Sequence, residues 1–108
     1  MGKMIEIPFN EWSKERLEKK VKLATSRNKR YGNIGDTFKV EIKGRIYKFE
    51  LLAIFPYQLS LVAIHLYHIE GAETSTEFHD VWCDIHKRAG WTPEKIVHVH
   101  LFRLIEIM

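Results

Sequence analysis

Three side chains that could act on a ligand, or hold one, occur close together in the chain: Lys22, Thr25 and Arg27. They supply an amine, a hydroxyl and a guanidinium just before a glycine-containing loop. In an extended segment alternate side chains share a face, which places Thr25 with Arg27 and Lys22 opposite them. A bend or bulge near Ala24 would be needed to bring all three side chains together.

Each member of this trio suits acid–base or binding chemistry. A Lys22 amine removed from water would have a lowered pKa and would serve as a base. Thr25 would then be a nucleophile or a hydroxyl that positions the ligand, and Arg27 would bind a phosphate or a carbonyl oxygen. The same spacing is equally typical of an exposed edge strand whose polar side chains face water, so both interpretations stay open.

A carboxylate opposite the trio would complete such a site, and Glu70 is the first candidate. It lies where a predicted strand ends, and it would act as the general acid or base opposite Lys22. Glu73 is a close rival, whereas Glu77 is assigned to a capping box with Thr74. On the residue pattern alone, a solvent-exposed turn acid is the favoured interpretation of Glu70.

Positive charge is concentrated in one part of the chain. The segment from Lys14 to Arg30 has eight basic and two acidic side chains, while the remainder has nine basic and twelve acidic ones. A basic face on a mildly acidic protein is typical of proteins that bind phosphate-bearing ligands. A solvated helix face with Glu–Lys pairs is the alternative interpretation of this segment.

Composition narrows the remaining function classes. Six histidines include His98 and His100 on one strand face, but no cysteine cluster or metal-binding spacing accompanies them, so neither a metal nor a cofactor is predicted. Cys83 is the single cysteine, which favours a reducing, cytoplasmic location.

No apolar run approaches the roughly 18 residues that a membrane helix needs. One glutamine and three asparagines, with abundant Lys and Glu, are a thermophile tendency.

Hydrophobic periodicity and turn signals predict one α+β domain over residues 1–108. Apolar spacing and capping residues predict two helices, over about 8–20 and 74–88. Alternating or β-branched segments predict strands over 23–27, 37–42, 45–55, 59–69 and 96–107. Pro56 is expected to end or bend the third of these strands. The pattern of 59–69 also fits a helix. The order of elements predicts a small mixed or antiparallel β-barrel with two main flanking helices.

These residues resemble the ASCH domain family of the PUA-like superfamily. The family signature Gly-x-Lys-x-x-x-x-Arg is matched by residues 20–27, with Lys20 in the place of the glycine, and a following Gly-Asp is matched by residues 35–36. A Glu-Gly pair and a later Glu-Phe-x-x-x-Trp are matched by residues 70–71 and 77–82. The resemblance extends over residues 9–102.

The resemblance implies a PUA-like β-barrel with a cleft beside the Lys–Arg motif, and binding of RNA or of modified nucleotides. One bacterial branch resembles small amidohydrolases that remove the acetyl group from N4-acetylcytidine. By that likeness Lys22 is the base, Thr25 the nucleophile or positioning hydroxyl, and Glu70 the acid. Arg27 matches the family's arginine.

We therefore expect an RNA- or modified-nucleotide-binding domain, with the amidohydrolase as the alternative and a purely protein-binding role as a third. A monomer is expected. The ligand-binding residues predicted for the basic cleft are Lys20, Arg27, Lys29, Arg30 and Tyr31, with Tyr31 or a tryptophan stacking on a base.

Overall fold

The computed structural model describes residues 2–108, which form a mixed five-stranded sheet with helices packed against it. The strands are β1 (Met4–Ile5), β2 (Ala24–Arg27), β3 (Thr37–Ile42), β4 (Arg45–Gln58) and β5 (Ile96–Ile107). The helices are α1 (Glu11–Glu18), α2 (Leu59–Leu61), the π-helix Val62–Leu66 and α3 (Ser75–Ile85). The α+β fold class is confirmed. No helix within residues 2–108 is long and apolar enough to cross a membrane.

The strand order in the sheet is β1-β3-β4-β5-β2. β1 is parallel to β3, and the other neighbouring strands are antiparallel. The edge strands β1 and β2 do not pair with each other in the described part of the chain, so the sheet stays open instead of closing into a barrel. β1 has two residues and β2 has four, which leaves few backbone groups that could close the ladder.

The hairpin of β3 and β4 forms as its sequence predicts. Phe38, Val40 and Ile42 are buried and alternate with exposed or half-exposed neighbours. Lys43 and Gly44 both have positive φ, 51° and 79°, as a two-residue hairpin turn that matches the twist of the strands requires.

Of the two outcomes predicted for Pro56, ending β4 or bending it, the first is wrong. The strand continues to Gln58, and Pro56 pairs with His98 of β5. β3 pairs only with residues 45–50 of β4, so the second half of β4 has β5 as its ladder partner and its other side open. A proline is tolerated there because its missing N–H removes no bond from the ladder.

The strand predicted over 59–69 is wrong: this segment is α2 followed by the π-helix and a turn. Leu59, Val62 and Ala63 recur at helical spacing and are buried against Phe78 and Trp82 of α3. Packing of this apolar face outweighs the β propensity of the individual residues.

α1 is shorter than the predicted helix over 8–20, and both of its ends have identifiable caps. Asn10 is the N-cap, and its side-chain oxygen accepts a hydrogen bond from the Ser13 N–H at 2.8 Å. At the other end the Val21 and Lys20 N–H groups donate to the carbonyl oxygens of Arg16 and Leu17, at 3.1 and 3.0 Å. This is a Schellman motif, and its left-handed position is occupied by Lys20, with φ of 63°.

Lys20→Gly is expected to stabilise the protein by about 0.5–1 kcal/mol, because glycine adopts left-handed φ without the steric cost that a side chain incurs. The matched control is Lys19→Gly, whose backbone is helical at φ −73°. That control is expected to destabilise by about 0.5–1 kcal/mol. Urea unfolding measures both changes, and a loss of stability in the Lys20→Gly variant would contradict the strain argument.

Candidate functional site

A cavity of about 550 Å³ opens between the start of α1, strand β2 and helix α3. Its aromatic walls are Phe9, Trp12, Tyr31, Phe78 and Trp82. Polar groups that line it include Lys22, Thr25, Ser26, Arg27, Lys29 and Glu70. We call this cavity the cleft. Within residues 2–108 the only strand that pairs with β2 is β5, and Thr25, Ser26 and Arg27 of β2 line the cleft.

Lys22 and Glu70 form a buried pair at the floor of the cleft, with only 4% and 3% of their surfaces exposed. Lys22 Nζ donates to the Glu70 carbonyl oxygen at 2.8 Å and lies 3.4 Å from Oε1 of the Glu70 carboxylate. Burial lowers the pKa of the Lys22 ammonium, and the Glu70 carboxylate offsets part of this effect. Glu70 is therefore not the exposed turn acid that the residue pattern alone favours. Glu73 is exposed and lies outside the cleft lining.

The bend that the trio requires is present next to Ala24. The N–H groups of Leu23 and Ala24 both donate to the carbonyl oxygen of Ile69, at 2.6 and 3.0 Å. Two consecutive residues thus oppose one, as in a β-bulge, just where Lys22 enters the cleft. The chain before β2 is tied in this way to the segment that carries Glu70.

Arg27 and Thr25 share a face of β2, as alternation predicts. Arg27 Nε donates to Thr25 Oγ1 at 2.9 Å, and Arg27 Nη2 donates to the Pro8 carbonyl oxygen at 2.6 Å. The guanidinium lies 4.9 Å from the centre of the Phe9 ring and 5.6 Å from that of Tyr31. Burial lowers the pKa of the Arg27 guanidinium. No hydrogen bond joins Lys22 to Thr25 within residues 2–108, although both line the cleft.

Ser26 is a cleft residue that the sequence analysis missed. Its hydroxyl donates to Glu70 Oε2 at 2.6 Å, and 7% of its surface is exposed. Alternation along β2 already places Ser26 on the same face as Lys22. That periodicity is the signal that could have identified Ser26.

Arg16 joins α1, the Glu70–Gly71 turn and α3 behind the cleft floor. Its Nε donates to the Gly71 carbonyl oxygen at 3.1 Å, and its Nη2 donates to Glu77 Oε2 at 3.2 Å. Thr74 caps α3 by accepting the Glu77 N–H at 3.0 Å. The Glu77 carboxylate accepts the N–H of Glu73, at 2.7 Å, instead of the Thr74 N–H that a standard capping box uses.

The other predicted ligand-binding residues divide into two groups. Lys29 and Tyr31 line the cleft, with Lys29 Nζ 5.0 Å from the centre of the Tyr31 ring. Arg30 is exposed beside the cleft lining and donates to the Gly32 carbonyl oxygen at 3.0 Å. Lys20 is exposed at the end of α1 and does not line the cleft.

His100 supports the site from the core. It is fully buried, and its Nε2 accepts the Tyr31 N–H at 2.8 Å while Nδ1 lies 3.2 Å from the Thr25 carbonyl oxygen. These partners require a neutral ring with its proton on Nδ1, and burial lowers the pKa of His100 accordingly. Among residues 2–108 no group of three or more His, Cys, Asp or Glu side chains could hold a metal ion.

The aromatic walls and the polar floor together suit a flat, polar ligand. Trp12 lies 5.8 Å from Lys22 Nζ, measured to its ring centre. On the α3 side, His86 stacks on Trp82 with ring centres 4.0 Å apart and an interplanar angle of 22°. Planar walls favour stacking, while the polar floor would hydrogen-bond the edge of a ligand.

Comparison with known proteins shows the fold. No protein-family model and no curated protein sequence matches the chain. Among solved structures, an ASCH domain from Lactobacillus crispatus JV V101 superposes with a TM-score of 0.73 at 10% identity, over 94% of this chain and 78% of that one. A DUF984 protein from Enterococcus faecalis V583 superposes with a TM-score of 0.69 at 13% identity, over 99% of this chain and 77% of that one. The chain therefore has an ASCH-like fold.

Proposed function

We propose that this ASCH-like domain binds RNA or a modified nucleotide, with one base in the cleft and phosphates at its basic rim. The observation that carries the proposal is the combination, in one cavity, of five aromatic walls with the buried Lys22 ammonium and the half-buried Arg27 guanidinium. The fold is consistent with a role in binding RNA, which the resemblance implies.

The size of the cleft is appropriate for such a ligand. Small-molecule sites typically have volumes of about 300–1,000 Å³, and the cleft has about 550 Å³. Stacking of a base on an aromatic side chain contributes about 1–3 kcal/mol and tolerates any base. Stacking would therefore supply affinity without sequence selectivity.

Selectivity for one base would come from the floor. Lys22, which is buried, and Arg27, which is half-buried, offer N–H donors, and the buried Glu70 carboxylate offers acceptors. A ligand that leaves any of these groups without a partner incurs the cost of burying an unsatisfied polar group, about 1–3 kcal/mol. A base whose edge complements both the donors and the acceptor is therefore preferred.

If Lys29 and Arg30 form a basic rim that contacts phosphates, RNA binding should depend on the salt concentration. Affinity for a short fluorescein-labelled single-stranded RNA, measured by anisotropy, should fall steeply with ionic strength, because phosphate contacts release counterions. The Lys29→Ala/Arg30→Ala variant should reduce the slope of log K against log salt by about one per phosphate contact removed. Lys39→Ala, on the hairpin away from the cleft lining, is the control and should leave the slope unchanged. An unchanged slope in the double variant would contradict the proposed rim.

The amidohydrolase is a second candidate, favoured by the buried Lys22–Glu70 pair. In this reaction the Lys22 ammonium first passes a proton to the Glu70 carboxylate, whose Oε1 lies 3.4 Å away. The neutral Lys22 amine then takes a proton from Thr25 or from a water, and the resulting nucleophile attacks the carbonyl carbon of the N4-acetyl group. Arg27 orients the substrate or stabilises the oxyanion. Glu70 donates a proton to the departing amine, which completes cleavage of the C–N bond. With water as the final nucleophile, the products are cytidine and acetate.

Incubation with N4-acetylcytidine and a panel of modified nucleosides, followed by chromatography, tests this reaction. Cytidine should form with the wild type and not with Lys22→Ala. Equal product from both proteins would exclude Lys22 as the base. Absence of product from the wild type would contradict the amidohydrolase and leave the binding proposal in place.

A further inference from the structure

Ser26 makes the shortest hydrogen bond to the Glu70 carboxylate. The donor–acceptor distance of 2.6 Å is typical of a hydroxyl that donates to an ionised carboxylate. Both side chains are almost fully buried, so water does not compete for this bond. The bond is therefore strong and defines the position of one carboxylate oxygen.

Lys22 alone would hold the carboxylate less firmly. Its closest contact with Glu70 is with the main-chain carbonyl oxygen at 2.8 Å, and the contact with Oε1 is longer, at 3.4 Å. A carboxylate bound only at 3.4 Å is free to rotate about its terminal torsion, which has a broad energy well. Ser26 removes that freedom by binding the other oxygen.

Ser26 and Glu70 belong to different elements of the fold. Ser26 lies within β2 and pairs with Val99 of the long strand β5, whose side chain is fully buried. Glu70 lies in the turn after the π-helix. The hydrogen bond thus connects this turn to the sheet.

We propose that Ser26 is a positioning residue, which holds the Glu70 carboxylate in one orientation at the floor of the cleft so that its free lone pairs face the ligand. Its effect on the ligand rests on the function proposed above. The effect on Glu70 itself does not, because it exists in the ligand-free protein.

Four variants separate these effects. Ser26→Ala removes the hydroxyl, and Ser26→Thr keeps it. Ser13→Ala is the matched control, since Ser13 is also 7% exposed and lines the cleft, but its hydroxyl is not bonded to Glu70 within residues 2–108. Glu70→Gln identifies the Glu70 signal in a ¹³C spectrum by its disappearance.

The first readout is the side-chain carboxyl ¹³C resonance of Glu70 in the ligand-free protein at neutral pH. It should shift in Ser26→Ala, return in Ser26→Thr and stay in place in Ser13→Ala. A Ser26→Ala signal that coincides with that of the wild type would overturn the proposal.

The second readout is affinity for the labelled RNA used above. Ser26→Ala should weaken binding about tenfold or more, the factor that corresponds to losing one hydrogen bond to a charged group, and Ser26→Thr should restore most of it. Affinity that is unchanged in Ser26→Ala, despite a shifted Glu70 signal, would overturn the part of the proposal that concerns the ligand. A shifted signal in a protein whose wild type binds no RNA would support the positioning role and contradict the proposed function instead.

Discussion

Replacing Lys22 with methionine is expected to lower the free energy of unfolding by about 3–5 kcal/mol, the usual cost of removing one partner of a buried ion pair. Methionine fills a similar volume, so packing changes little. The Glu70 carboxylate, 3% exposed, would keep the Ser26 hydroxyl but lose its cationic partner. Most of the destabilisation therefore comes from the uncompensated charge at Glu70.

The double variant Lys22→Met/Glu70→Gln tests this explanation. Because it leaves neither charge in the cleft floor, it should recover most of the lost stability, as measured by urea unfolding. The exposed pair of Lys19 and Glu15, with atoms 3.4 Å apart, provides the control. Lys19→Met should change stability by less than about 0.5 kcal/mol. A Lys22→Met protein as stable as the wild type would show that the pair is not a buried ionic one.

Gly71→Ala is expected to be the second severe substitution, with a cost of about 2–4 kcal/mol. The backbone φ at Gly71 is +102°, where a side chain is strained, at about 1–2 kcal/mol. A Cβ there would also lie 2.9 Å from Arg16 Cβ and 3.2 Å from Lys22 Cβ. Relief of these contacts must move α1 or Lys22, and such overpacking typically costs about 1–3 kcal/mol.

Gly90→Ala is the matched control for this prediction. Gly90 also has positive φ, +63°, but a Cβ there meets no atom of the described chain within 4 Å. Its cost should be the backbone strain alone, about 1–2 kcal/mol. Thermal unfolding of both variants gives the comparison. Equal losses would contradict the close approach of Gly71 to Arg16 and Lys22.

Gly71→Ala should also disturb the cleft, whereas Gly90→Ala should not. The Glu70 carbonyl oxygen accepts from Lys22 Nζ, and the Gly71 carbonyl oxygen accepts from Arg16, so a shift of this turn displaces both side chains. If the proposed function is correct, RNA affinity measured under native conditions should fall in Gly71→Ala and persist in Gly90→Ala.

Elements with strong local signals were predictable. The Lys43–Gly44 turn, the buried alternation of β3 and the Thr74 cap of α3 each depend on residues within a few positions of one another. The bounds predicted for the last strand, 96–107, coincide with those of β5. Such signals act through backbone sterics and local hydrogen bonds, which the neighbouring residue types determine.

Elements that depend on packing were not predictable in the same way. The segment 59–69 has residues typical of a strand and also a helical pattern. It is helical because the helix buries its apolar face against α3. Pro56 was expected to end or bend β4, but whether its missing N–H donor ends the strand depends on which side of the strand is open. Both outcomes depend on where another element lies.

The candidate site shows the same division. Alternation predicted that Thr25 and Arg27 share a face, and their side chains are hydrogen-bonded to each other, whereas Lys22 contacts Glu70 instead. The chain is irregular next to Ala24, where a bend was predicted. The choice between Glu70 and Glu73 could not be made from spacing, because both lie close to the same turn. Ser26 was overlooked although it shares the face of Lys22, since its partner Glu70 is 44 residues away.

The α+β class, the capped helix, the hairpin and the basic segment with its Lys22-to-Arg27 motif could all be predicted from the amino-acid sequence. Two features could not: the buried network of Lys22, Ser26 and Glu70, and the position of Lys20 at a left-handed helix end away from the cleft. Propensity, caps and turns depend on near neighbours. The burial and pairing of a charged side chain depend instead on contacts between distant segments, which form only when the chain is folded.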